Sequence, residues 1–323
     1  MFMTSTIIFL SAFLLFLVQP IIAKLILPQF GGGVAVWATC LVFFQSTLLI
    51  GYAYAHQLVK RDRTGRLGVV HIALLLASLL ALPIIPQGTW SSSLQGIAPG
   101  WQILALLVVT IGAPFMLLAS TSPLLQAWIA QQPRARDPYR LFVISNLASL
   151  AALMAYPWLI EPWLGNAMQA KLWSALYIAY VVLASLAAFA AAQRARQRAA
   201  GAAPTVPAAS SAVPPLAPNV LFAWIALSAL ASYELVAVTN HLTQNIPSMP
   251  MMWVLPLCAY LLTLTLCFDG NRWYRPRPFR VAALLAVATM CWMLDDERFV
   301  HQIVLQASVF TVNWPEAGHL RSS

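Results

Sequence analysis

Lys24, Glu161, Glu234 and His241 lie within or at the ends of long apolar runs of this sequence. An ionisable group inside hydrocarbon is costly unless it meets a partner, an interface or a water-filled cavity. The expected arrangement is therefore an ion pair, Lys24–Glu161 or Lys24–Glu234. A carboxylate that faces a cavity can bind a cationic solute or exchange a proton. Against this stands simple anchoring, in which Lys24 and Glu161 extend their heads to the interface and His241 sits there as an interfacial side chain. Glu234 lies deeper in its run, where a buried, paired or functional role is expected. Three uncharged polar residues complete the candidate set: Gln19 in the first apolar run, Gln45 near the middle of the second and Asn146 in the fifth. Such amides hydrogen-bond a ligand or join helices to one another.

Lys24 and Gln19 belong to Phe16–Trp37, FLVQPIIAKLILPQFGGGVAVW, around which the rest of the chain is organised. Pro20 cannot donate to the carbonyl of Phe16, and in lipid such a freed group must find another partner. One side of this first helix is accordingly expected to face protein or water. A long fourth run holds Pro114 and Pro123, the latter within Ser120-Thr121-Ser122-Pro123. Broken helices expose backbone groups to ligand in transporters; packed kinks relieved by hydroxyls are the other reading. Gly31-Gly32-Gly33 lacks the spacing of a phosphate loop and is read as a tight turn. The sequence offers no catalytic constellation and no metal-ligand spacing, so no catalytic residue, metal or cofactor is expected. Asp295-Asp296-Glu297 is read as a solvated loop.

Composition explains why such residues stand out. Of 323 residues, 61% are hydrophobic and 8% charged, with mean hydropathy +0.77. A soluble domain carries about 25% charged residues, so lipid must be the main solvent. The net charge of +9 is dispersed in short groups between apolar runs, which argues against a nucleic-acid surface. Cys40, Cys258, Cys267 and Cys291 all lie in apolar runs without CxxC spacing and are read as inert thiols. The N-terminus lacks a basic leader, and its apolar run continues past Ala23, as expected of a retained helix.

A helix crosses a bilayer with roughly 17–25 apolar residues. By that rule spans are expected at Ser5–Leu27, Val34–His56, Leu67–Ile85, Ile103–Ile129, Leu141–Ile160, Leu172–Ala192, Val220–Asn240, Met251–Phe268 and Phe279–Leu294, with Phe299–Val312 as a possible tenth. Lys60, Arg61, Arg63 and Arg66, then Arg134, Arg136 and Arg140, then Arg194, Arg196 and Arg198, then Arg272, Arg275, Arg277 and Arg280 all fall in alternate loops. That bias places the N-terminus in the cytoplasm. Trp37, Trp90, Trp101, Trp158, Trp163, Trp173 and Trp253 fall at expected outer ends, and Trp128, Trp224 and Trp273 at inner ends, as an interfacial belt.

Between residues 193 and 218 the chain is rich in Ala, Pro and Ser and reads as a flexible cytoplasmic linker. It separates a six-helix half, residues 1–192, from a partial second half, 219–312, and a polar tail, 313–323. The expected fold is thus all-α, a polytopic transmembrane bundle of nine to ten helices. Its layout is that of major-facilitator transporters with the second half incomplete, although no internal sequence repeat is evident.

Several stretches resemble, in order, the bacterial fused major-facilitator/spermidine synthase family: Gln19–Trp37, FFQSTLLIGYAYAH at Phe43–His56, SPLLQAW at Ser122–Trp128, DPYRLFVISNLASL at Asp137–Leu150, YPWLIEP at Tyr156–Pro162 and Val238–Thr263. The likeness covers most of Phe9–Phe268. It implies an inner-membrane transporter-like domain related to polyamines, with Lys24, Asn146 and Glu161 as pattern positions. Members of that family continue into a cytoplasmic aminopropyltransferase-like domain. After Phe268 this sequence has no strand–Gly-rich–helix unit for a nucleoside cofactor, so enzyme activity is not expected, and a truncated gene is one explanation. The expected partners are the bilayer, a small cationic solute such as a polyamine and a soluble aminopropyltransferase-like protein. The rival reading is a membrane anchor for such an enzyme that transports nothing.

Overall fold

The computed structural model describes residues 2–31, 34–61, 66–85, 98–130, 139–201, 218–245, 254–268 and 281. Every element among them is helical. The chain divides into two compact units, Met1–Ala203 and Pro204–Ser323. The first contains α1 (Phe2–Phe30), α2 (Val34–Arg61), α3 (Arg66–Ser78), α4 (Pro99–Leu107), α5 (Ala113–Ala130), α6 (Tyr139–Ala155) and α7 (Asn166–Gly201). The second contains α8 (Pro218–Asn245) and α9 (Val254–Phe268), which pack on each other.

Among the described residues six stretches are long and apolar enough to cross a membrane: Met3–Phe30, Ala35–Arg61, Pro99–Ile129, Leu141–Ile160, Asn166–Arg194 and Pro218–Ala237. This is the pattern of a multi-pass membrane protein. The expected third span is shorter than its apolar run. Only Gly68–Ala81 is apolar helix, ending in the 3-10 turn Leu79–Ala81 with Leu82 already extended. At 1.5 Å per residue, that helix covers about 20 Å of a hydrocarbon layer about 30 Å thick. The sixth span is longer than expected. α7 runs on through Arg194–Gly201, so the low-complexity segment begins as helix. Of the expected eighth span, Val254–Phe268 is helix. The ninth and tenth, Phe279–Leu294 and Phe299–Val312, lie outside the described residues apart from Val281.

Local chemistry accounts for the breaks. α1 accommodates Pro20 and Pro28 and stops at Gly31, whose φ of +77° is a left-handed C-terminal turn that glycine adopts without steric cost. The Gly31 N–H caps the Leu27 carbonyl at 2.8 Å. α4 and α5 are joined by the π-turn Val108–Gly112 just before Pro114. α6 ends in a second π-turn, Tyr156–Ile160, at Pro157. A proline removes one helix donor, and the wider turn takes up the extra residue.

Contacts in the first unit give the helix directions. Lys24 of α1 pairs with Glu161 just ahead of α7, Leu14 meets Trp173, and Ile7 and Ala184 line one cleft, so α7 runs antiparallel to α1. Gly68 and Ser78 of α3 meet Ala192 and Tyr177 of α7, again antiparallel. Phe44, Gly51 and Leu58 of α2 meet Phe115, Ala119 and Leu124 of α5, so these two run parallel. The α2–α5 crossing is closest at Gly51, where an added Cβ would stand 2.8 Å from both the Ala119 Cβ and the Met116 carbonyl oxygen. α1 is central. Ile7, Ile8, Leu14, Leu17, Val18, Ile21 and Ile22 are buried as it packs on α5, α6 and α7.

Candidate functional site

Lys24 Nζ donates to Glu161 Oε1 at 2.8 Å, the two side chains being 35% and 33% exposed. The expected Lys24–Glu161 pair is thus present; the alternative partner, Glu234, has its side chain outside the described residues. Two proline-dependent devices present the pair. Pro28 leaves the Lys24 carbonyl without its usual helix donor in the last turn of α1. On the other side, the π-turn gives the Glu161 N–H a bond to Tyr156 O at 2.8 Å, spanning five residues. One extra residue in the turn rotates the succeeding residues by about 100° around the helix axis. This sets the direction in which Glu161 projects.

Two buried polar residues belong to or adjoin this turn. Tyr156 begins the π-turn and is 2% exposed. Gln169, in the first turns of α7, is 1% exposed. Its Nε2 donates to Leu164 O at 2.7 Å, which anchors the amide against the 161–165 turn. Because that nitrogen serves a carbonyl, the assignment of the amide is fixed and Oε1 is the free acceptor. Neither Tyr156 OH nor Gln169 Oε1 has a hydrogen-bond partner among the described residues. A buried polar atom left unpaired costs about 1–3 kcal/mol, so each calls for an explanation. The sequence offered Tyr156 only as part of the YPWLIEP stretch, and Gln169 not at all.

The other sequence candidates divide. Gln19 is buried in α1, and its Nε2 reaches Leu15 O at 3.5 Å, a long contact within its own helix. Asn146 is buried on α6, and its Nδ2 is unpartnered among the described residues. Gln45 is exposed on α2 and joins none of these groups. Glu234 and His241 fall within α8, their side chains outside the described residues.

A second polar cluster occupies the opposite end of the first unit. Tyr54 OH and His71 Nδ1 share a hydrogen bond of 2.9 Å, and Trp128 meets the His71 ring edge-on at 6.4 Å. His71, Thr121, Trp128 and Tyr180 line a cleft of ≈ 10 Å³, room for about one water. Thr121 and Tyr180 are joined by a short hydroxyl–hydroxyl bond. Tyr177 and Ser78 share another at 2.7 Å. Here Ser120 and Thr121 hydroxyls turn back to the Leu117 carbonyl, three and four residues earlier, just ahead of Pro123.

Trp173 departs from the expected interfacial belt. It is fully buried, stacks on Tyr177 at 5.1 Å and donates its indole N–H to Leu14 O at 2.9 Å. Trp101, Trp158 and Trp163 are exposed. Among the described residues no group of three or more His, Cys, Asp or Glu side chains is placed to hold a metal ion. No protein-family model, no curated protein and no solved structure matches the chain.

Proposed function

We propose that this chain is a multi-pass inner-membrane protein with a major-facilitator-like plan, and that its first unit binds and moves a small cationic solute. The observation that carries the reading is the Lys24–Glu161 pair, only one-third exposed on each side, between two helix ends broken by proline. An internal ammonium neutralises the carboxylate while the site is empty. An incoming organic cation then takes its place on Glu161, and the displaced Lys24 ammonium, its side chain 35% exposed, turns to water. The resemblance to fused major-facilitator/spermidine synthase proteins favours a polyamine as that cation. The bias of Lys and Arg to alternate loops puts the N-terminus in the cytoplasm, and with it the Glu161 end at the outer face.

Spermidine uptake by proteoliposomes of the full chain tests this. Wild type is expected to take up spermidine saturably, and Glu161→Gln to lower kcat/KM at least tenfold. Glu234→Gln, measured alongside, shows whether α8 contributes a second carboxylate. Spermidine flux unaffected by Glu161→Gln would refute the reading. If no flux occurs and the membranes instead retain an added aminopropyltransferase, the chain is an anchor and not a carrier.

A further inference from the structure

His71 is 3% exposed, and the Tyr54 hydroxyl is bound to its Nδ1 at 2.9 Å. The ring also borders the cleft of ≈ 10 Å³, which Ile7 of α1, Thr121 and Trp128 of α5, and Tyr180 and Ala184 of α7 line as well. Hydrogen counting gives the two sides of this cleft opposite character. The Thr121 and Tyr180 hydroxyls hold two hydrogens between them. Both are taken up, by the bond joining the two oxygens and by the Leu117 carbonyl, 2.9 Å from Thr121 Oγ1 and 3.3 Å from Tyr180 OH. What this pair still offers is lone pairs. On the other side, a Tyr54 O–H that donates to Nδ1 places the ring hydrogen of neutral His71 on Nε2. A water in the cleft matches both sides: it accepts from Nε2–H and donates to the Thr121–Tyr180 pair.

The same groups can hold a proton. An imidazolium donates from both nitrogens. Nδ1–H then meets the Tyr54 oxygen, and Nε2–H meets the water, whose own hydrogens are drawn to the acceptor pair. Tyr54, half-buried and six residues before Lys60 on α2, supplies the way in. A hydronium ion outside gives its proton to the Tyr54 oxygen as the phenolic hydrogen passes to Nδ1; water is released and the phenol stays neutral. The chain of hydrogen bonds ends at the Leu117 carbonyl, which cannot pass a proton on, so the arrangement stores a proton and does not conduct it. The titratable groups that face His71 are the phenols Tyr54 and Tyr180, and no charged side chain lines the cleft. Lys60, Arg61, Arg194 and Arg196 are exposed towards the ends of α2 and α7, and Arg66 opens α3, its side chain outside the described residues. The charge is thus met by hydrogen-bond acceptors alone.

We propose that His71 is a proton-binding site, reached through Tyr54 and completed by one water held in the cleft against Thr121 and Tyr180. It lies at the opposite end of the first unit from Glu161 and does not rest on the cation reading.

The test is 1H–15N correlation spectroscopy of the full chain, labelled with 15N-histidine, in detergent micelles from about pH 8 to about pH 4, across the histidine range. His71→Asn identifies the His71 signals among those of the five histidines; where that variant does not fold, Tyr54→Phe identifies them by the ring it perturbs. At the alkaline end His71 is expected as one tautomer, with its hydrogen on Nε2. Acid should convert it to the imidazolium while the circular dichroism of the folded protein persists. Tyr54→Phe should let both neutral tautomers appear, because the donor to Nδ1 is gone. Ala184→Val narrows the cleft and should move the His71 midpoint to an about tenfold higher proton concentration, the effect of losing one hydrogen bond to a charged group. A neutral His71 with its hydrogen on Nδ1 would overturn the inference. So would a ring that stays neutral throughout, a protein that unfolds as His71 charges, or a midpoint that Ala184→Val leaves unchanged.

Discussion

The Lys24–Glu161 pair is worth more than a surface ion pair and less than a buried one, because each side chain keeps about a third of its exposure. Exposed pairs contribute about 0–1 kcal/mol, whereas breaking a fully buried one costs about 3–5 kcal/mol. Lys24→Met and Glu161→Gln should each destabilise the protein by about 1–3 kcal/mol, between those limits. The double variant should lose less than the sum, since neither charge is then left without its partner. Chemical denaturation in micelles over the four proteins of that cycle checks it, and strict additivity would mean that the two groups do not interact. Trp173 offers the contrasting residue-scale lesson. Its indole nitrogen adds a second hydrogen bond to a carbonyl that keeps its own donor within α1, so Trp173→Phe should cost about 0.5–1.5 kcal/mol, while the stack on Tyr177 persists. A melting temperature identical to wild type would contradict that.

At the scale of elements, the helices of the first unit are positioned by small residues and irregular turns more than by amphipathic stripes. Gly51 lets α2 approach α5 so closely that even alanine meets the Ala119 Cβ and the Met116 carbonyl oxygen at 2.8 Å. Small residues are the usual means of close helix approach in lipid, where packing replaces the hydrophobic drive. Gly51→Ala should therefore destabilise by about 1–3 kcal/mol, the range of an overpacked core. Adding Ala119→Gly should restore only part of the loss, because the backbone oxygen of Met116 remains. Full restoration in the melting temperature would show that the carbonyl contact is tolerated. The π-turn at Pro157 acts at the same scale. It converts a proline fault into a rotation that determines where Glu161 points.

For the whole molecule, the alternation of helix directions in the first unit agrees with the alternation of basic loops along the sequence. α1 and α3 are both antiparallel to α7, while α2 runs with α5. Basic groups such as Lys60, Arg61, Arg63 and Arg66 recur at one set of loops, and the segment between residues 86 and 100 has no charge. Single cysteines replacing Arg63 and Ser92 should thus react from opposite sides of the membrane. In intact cells a membrane-impermeant maleimide should label Ser92→Cys and leave Arg63→Cys untouched. The reverse pattern would invert the orientation and move the Glu161 site to the cytoplasmic face.

The sequence by itself determined the solvent and the element type. Sixty-one per cent hydrophobic residues with 8% charged leave no soluble alternative, and runs of about 20 apolar residues leave helix as the means of crossing. It also singled out Lys24 and Glu161, because a charge in an apolar run is conspicuous in one dimension. The pairing of Lys24 with Glu161 depended on residues 137 positions apart in the chain. The buried, unpaired polar atoms of Tyr156 and Gln169 were invisible in the sequence, since a tyrosine and a glutamine near a helix end look like ordinary interfacial side chains. Trp173 was misread for the same reason: its position suggested an interface, and its burial against Leu14 O shows a core tie. Hydropathy reports how much a segment prefers lipid, averaged over its whole circumference. Which side of a helix meets protein, and which polar atom is left there without a partner, is decided only when the helices pack.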